Sequence, residues 1–135
     1  MFKLHHNFLS KILLHEFPLC KVLLENERHY PWLLLIPKRD NVSKIMDLSP
    51  TDQLQLISEI DWAQKILWEV FEPDQLNVAA IGNKTPQLHI HVIARFKSDP
   101  AWPRTVWDHP EREPYLADDL EKSKKILQAK LNTYC

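Results

Sequence analysis

The chain has 135 residues, with seventeen basic against eighteen acidic side chains and a net charge of −1, a length that fits one domain spanning residues 1–135 around a single core. So even a balance lacks the broad basic footprint that duplex nucleic acid requires, and no apolar run approaches the roughly 20 residues of a membrane span. The one glycine, Gly82, excludes a glycine-rich phosphate loop of the P-loop or dinucleotide type.

Phe2, Leu4, Phe8, Leu9, Ile12, Leu13 and Phe17 recur at a loosely helical spacing, which predicts a short N-terminal helix. No signal-peptide pattern is present there, because Lys3, His5 and His6 break up the apolar groups. Cys20 lies inside the apolar run Leu19–Leu24 and Cys135 closes the chain; neither has the spacing of a zinc knuckle or a CxxC pair. The expectation is a soluble protein of the reducing cytoplasm. Leu19–Leu24 and Trp32–Ile36 are compact apolar runs separated by a polar connection ending in Pro31, and read as two strands of a hairpin.

Ser49 followed by Pro50 is an N-cap with proline at the first helical position. From there Leu54, Ile57, Ala63, Ile66, Leu67 and Val70 recur at mostly helical spacing until Pro73, predicting a long helix on which Trp62 and Trp68 read as packing residues. Leu76–Ile81 reads as a strand, and the turn-rich Gly82-Asn83-Lys84-Thr85-Pro86 links it to an antiparallel neighbour beginning at Gln87. Beyond Arg95 the chain turns irregular, with four prolines and with Trp102 and Trp107, which either line a pocket or form a dimer contact. A helical pattern returns over about 116–131, its charged residues forming a solvated face. The fold class is α+β, a mainly antiparallel sheet with a long helix packed on it.

Within this order, Gln87-Leu88-His89-Ile90-His91-Val92 alternates polar and apolar residues without a break. On a strand, Gln87, His89 and His91 share one face while Leu88, Ile90 and Val92 share the other, so one face enters the core and the other aims two imidazoles and an amide at a common point. At a strand rise of about 3.3 Å per residue the two histidines lie about 7 Å apart, close enough for a phosphate to touch both. A neutral imidazole is a competent nucleophile, and a polar neighbour fixes which ring nitrogen is free. Two other readings stay open: surface histidines on a half-exposed strand, and a His-x-His pair donating to a metal that needs further ligands. His5, His6, His15, His29 and His109 stand in no recognisable ligand spacing, so no metal or cofactor is assigned.

Gln87-Leu88-His89-Ile90-His91-Val92-Ile93 resembles the signature of the histidine triad (HIT) superfamily, His-φ-His-φ-His-φ-φ with φ apolar, altered at its first position. Trp32 to Arg39 resembles the family's apolar strand ending in proline and basic residues, and the likeness runs from about Leu19 to Trp107. Gly82-Asn83, Pro86-Gln87-Leu88-His89, Ala94-Arg95 and Ala101-Trp102-Pro103 are similar to phrases of a bacterial subgroup in which glutamine is habitual at the first triad position.

The resemblance implies a HIT-like homodimer acting as a nucleotide hydrolase or transferase on a nucleoside phosphate or dinucleoside polyphosphate. The reaction it implies runs at the α-phosphorus through a nucleotidyl-histidine, with His89 as nucleophile and His91 touching phosphate oxygens and assisting the leaving group. Asn26 falls near the family's ribose-binding position, or else serves as a hairpin turn residue. Asn83 adds an amide donor or serves the turn beside Gly82. Gln87 replaces a histidine and cannot titrate, and Trp32 replaces another, which puts rate and leaving-group preference in question. The competing functions are a nucleotide-binding module with little turnover and a metal-binding or interaction protein.

Overall fold

In the computed structural model, which describes residues 1–134, five strands form one sheet: β1 (Ile12–Glu16), β2 (Cys20–Leu24), β3 (Trp32–Pro37), β4 (Gln75–Ala79) and β5 (Ile90–Arg95). Their order across the sheet is β1-β2-β3-β5-β4, and every neighbouring pair is antiparallel. Cys135 lies outside the described residues. Two helices, α1 (Pro50–Phe71) and α2 (Ala117–Leu131), share a core with one sheet face through Leu56, Ala63, Ile66, Leu67, Leu127 and Leu131. This is the expected α+β arrangement, and among the described residues no helix is long and apolar enough to cross a membrane.

Strand alternation sorts the side chains. Leu33 and Leu35 of β3 and Ile90, Val92 and Ala94 of β5 face the helices. Trp32, Leu34 and Ile36, with Ile93, belong to two smaller clusters instead. The register pairs Leu34 with His91 and Trp32 with Ile93, so His91 shares the face of Trp32 and Leu34, away from the helices.

α1 starts as expected, Ser49 Oγ accepting the Asp52 N–H at 3.1 Å with Pro50 behind it. Its buried stripe is not the expected one. Leu56, Glu59, Ile60, Ala63, Ile66 and Leu67 turn inward, whereas Leu54 and Ile57 are 74% and 65% exposed and Trp68 is half-exposed. Leu56, Ile60, Ala63 and Leu67 repeat every three or four residues toward the sheet, and Leu54 and Ile57 fall outside that arc. Glu59 is fully buried there and accepts the Leu19 and Cys20 N–H groups, both at 2.8 Å, locking α1 to the start of β2.

The expected N-terminal helix is replaced by one 3-10 turn, His6–Phe8, followed by β1, which pairs with β2. Phe2, Leu4 and Phe8 bury themselves against Leu23, Leu34 and Ile36 on the sheet, a surface that an extended segment covers as well as a helix does.

Candidate active site

The sheet face opposite the helices carries a cavity of about 780 Å³, within the roughly 300–1,000 Å³ span of small-molecule sites. His89 and His91 both line it, their ring centroids 5.0 Å apart. The strand itself begins only at Ile90, because the Leu88 N–H is taken by the Val42 carbonyl and the Gln87 carbonyl by His89 Nδ1. His89 thus sits at the mouth of β5, 7% exposed, and His91 one step inside it, 8% exposed.

Each ring is fixed by one hydrogen bond at Nδ1, and the two bonds have opposite sense. His89 Nδ1 lies 2.8 Å from the Gln87 carbonyl oxygen, which only accepts, so Nδ1 carries the proton and Nε2 keeps a bare lone pair. His91 Nδ1 lies 3.0 Å from Trp32 Nε1, which only donates, so this nitrogen is bare and the proton sits on Nε2. Burial, together with the neighbouring His89 and Lys11, lowers the His91 pKa from 6.5 to about 3 and holds the ring neutral. The result is an adjacent nucleophilic nitrogen and N–H donor.

Around this pair, Trp107 places its ring 4.9 Å from His91 and 5.7 Å from Trp32, nearly perpendicular to both. Arg112 lies over the Trp32 ring at 5.2 Å and also lines the cavity. Glu27, fully buried, brings it there by accepting the Glu113 N–H at 2.6 Å while pairing with His29 at 2.5 Å. Lys11 and Glu25, which also line the cavity, form an ion pair at 2.6 Å, and the Phe8 and His89 ring centroids lie 5.0 Å apart, edge to face.

Asn83 borders both this cavity and a smaller one of about 460 Å³ that also reaches His89. Two expected site residues are elsewhere. Asn26 does not line the cavity; its Oδ1 accepts the Tyr115 N–H at 2.9 Å and ties down the segment before α2, leaving the wall to its neighbour Glu25. The Gln87 side chain is not aimed at the cavity either, for its amide is paired with the backbone of His5 and Lys3. Trp107 lines the cavity, whereas Trp102 lies 5.8 Å from the buried Arg95 guanidinium, which Asp99 holds.

Lys11, Glu25 and Arg112 were not among the expected site residues. Glu25 carried a readable signal, a carboxylate immediately after an apolar strand, but Lys11 and Arg112 reach the site only through contacts far apart in sequence. Among the described residues no three His, Cys, Asp or Glu side chains gather to hold a metal ion.

The family model described as HIT domain matches residues 9–98, beginning just before β1, earlier than the resemblance suggested, and ending before Trp107. A histidine triad protein from Marinobacter aquaeolei VT8 is 37% identical, with a TM-score of 0.95 over 100% of this chain and 99% of its own. A histidine triad protein from Bradyrhizobium japonicum is 39% identical, with a TM-score of 0.92 over 96% and 97%. A bis(5'-nucleosyl)-tetraphosphatase (asymmetrical) of Schizosaccharomyces pombe is 29% identical over 72 residues, 50% of this chain; the chain spans 39% of that relative's length. With the family model matching two-thirds of its length and an antiparallel sheet presenting His89 and His91 on one face, the chain belongs to the HIT domain family.

Proposed function

We propose that this protein is a nucleotide hydrolase or transferase acting at the α-phosphorus of a nucleoside phosphate or dinucleoside polyphosphate, through a nucleotidyl intermediate on His89. The observation that carries the reading is the pair of opposite tautomers. His89 Nε2 attacks phosphorus, an N–P bond forms, and the bond from phosphorus to the leaving group breaks. The ring then bears a positive charge, which the Gln87 carbonyl on Nδ1–H stabilises. His91, neutral, donates its Nε2–H to a phosphoryl oxygen and lowers the cost of negative charge there; the leaving group takes its proton from water. A water, or the hydroxyl of an acceptor in a transferase, attacks the intermediate and releases its proton to solvent as the N–P bond breaks, and neutral His89 returns.

Arg112 and Lys84 at the cavity favour an anionic ligand, and the Glu25 carboxylate, held by Lys11, is suited to accept from ribose hydroxyls in place of Asn26. The name of the S. pombe relative supports a dinucleoside polyphosphate as a candidate substrate. We also propose a homodimer, for among the described residues Val78 on the β4 edge strand and Leu54, Ile57 and Trp68 on α1 are exposed apolar side chains.

The test is incubation with a nucleoside phosphoramidate or a dinucleoside polyphosphate, with and without chelator. The expected result is nucleoside monophosphate released at the same rate in both, and a loss of about a thousandfold or more in His89→Ala. A His89→Ala protein as fast as the parent overturns the assignment. A second reading, nucleotide binding with little turnover, draws on Gln87, whose amide brings no group to the phosphate. Saturable nucleotide binding without product marks that outcome.

A further inference from the structure

Gln87 stands at the first triad position, yet both ends of its amide are paired with the N-terminal segment. Oε1 accepts the His5 N–H at 2.8 Å and Nε2 donates to the Lys3 carbonyl at 2.9 Å, the two hydrogen bonds of a backbone ladder made by one side chain. A carboxamide presents donor and acceptor side by side, whereas an imidazole carries them on separate ring nitrogens and a carboxylate has no donor. The residues that follow are seated on the site. Asn7 Nδ2 donates to Thr85 Oγ1 at 2.8 Å, and Phe8, 4% exposed, packs its edge on the His89 ring. Through Asn7 and Phe8 this segment forms part of the cavity wall.

We propose that Gln87 is a positioning residue whose amide clamps the N-terminal segment Lys3–Phe8 against the sheet, so that Asn7 and Phe8 complete the nucleotide cavity and hold the His89 ring. The inference rests on the proposed function for its kinetic consequence, but the clamp itself is readable without turnover. Its removal frees the 3-10 turn, in which the Phe8 and Leu9 N–H groups donate to the His5 and His6 carbonyls. The backbone of His5, at φ −57° and ψ 143°, already suits proline. His5→Pro therefore deletes the N–H that Gln87 binds, and His5→Ala, which loses the ring but keeps the N–H, is its reference.

The experiment measures hydrogen exchange of the Phe8 and Leu9 amides, with kcat and KM on a dinucleoside polyphosphate, in the parent, Gln87→Ala, His5→Ala, His5→Pro and the Gln87→Ala/His5→Pro double variant. Gln87→Ala should speed exchange of both amides by about ten- to a hundredfold, as expected for losing two net hydrogen bonds. KM should rise severalfold with a smaller loss of kcat, His5→Pro should repeat the effect relative to His5→Ala, and the double variant should exceed Gln87→Ala by no more than His5→Ala exceeds the parent. Unchanged exchange in Gln87→Ala overturns the clamp, as do kinetic effects that multiply in the double variant. A parent that neither binds nor cleaves nucleotide overturns the proposed function, and the exchange rates then decide the clamp by themselves.

Discussion

At the scale of single residues, the indole of Trp32 decides what His91 can do. Its Nε1–H occupies His91 Nδ1 in a buried hydrogen bond, which leaves Nε2–H as the only donor the neutral ring has for a phosphate. Trp32→Phe keeps an aromatic body but leaves Nδ1 buried without a partner, a cost of about 1–3 kcal/mol in stability. It also frees the ring to exchange tautomers. Nitrogen NMR should find a bare Nδ1 and protonated Nε2 in the parent and a mixture in Trp32→Phe, with turnover reduced about tenfold. An unmixed Nε2–H tautomer in the variant would show that Trp32 does not set it.

At the scale of elements, α1 is joined to the sheet by a carboxylate as well as by apolar packing. Glu59 accepts from Leu19, Cys20 and Gln55, so Glu59→Ala strands two buried backbone N–H groups, whereas Glu59→Gln keeps one acceptor oxygen. Urea unfolding should show Glu59→Ala less stable by about 3 kcal/mol or more and Glu59→Gln intermediate. Equal stability of all three proteins would mean that the helix does not depend on this contact. Elements with local signals were legible in the sequence: Ser49-Pro50 opens α1 as its chemistry requires, Trp32–Ile36 lies within β3, and His89 and His91 share a face because strand parity dictates it. What tertiary contacts decide was not. Phe2, Leu4 and Phe8 have a helical spacing but take their place on the sheet, the strand waits until Ile90 because the Leu88 N–H is bound to Val42, and Asn26 points to Tyr115 while Glu25 faces the cavity.

At the scale of the whole molecule, His91 links the site to stability. Its folded pKa of about 3 lies below the 6.5 of the unfolded chain, so between those values the unfolded state binds the extra proton. The stabilisation is complete above pH 6.5 and fades as pH falls toward 3, by roughly 1.4 kcal/mol per pH unit where the dependence is steepest. His91→Asn should flatten that slope in denaturant unfolding measured from pH 7 to 4; a slope equal to the parent's would place the proton elsewhere. Sedimentation should give twice the 16.0 kDa chain mass, and Ile57→Glu, which charges the exposed α1 stripe, should shift it toward one chain. A monomeric parent would exclude the homodimer.

The most direct test of the chemistry is to quench the reaction with a dinucleoside polyphosphate in acid-free conditions and search the peptides for an added nucleoside monophosphate by mass spectrometry. The adduct is predicted on the peptide carrying His89, localised to that ring and absent from His89→Ala. An adduct localised to His91, or product formed by His89→Ala at the parent's rate, would contradict His89 as the nucleophile.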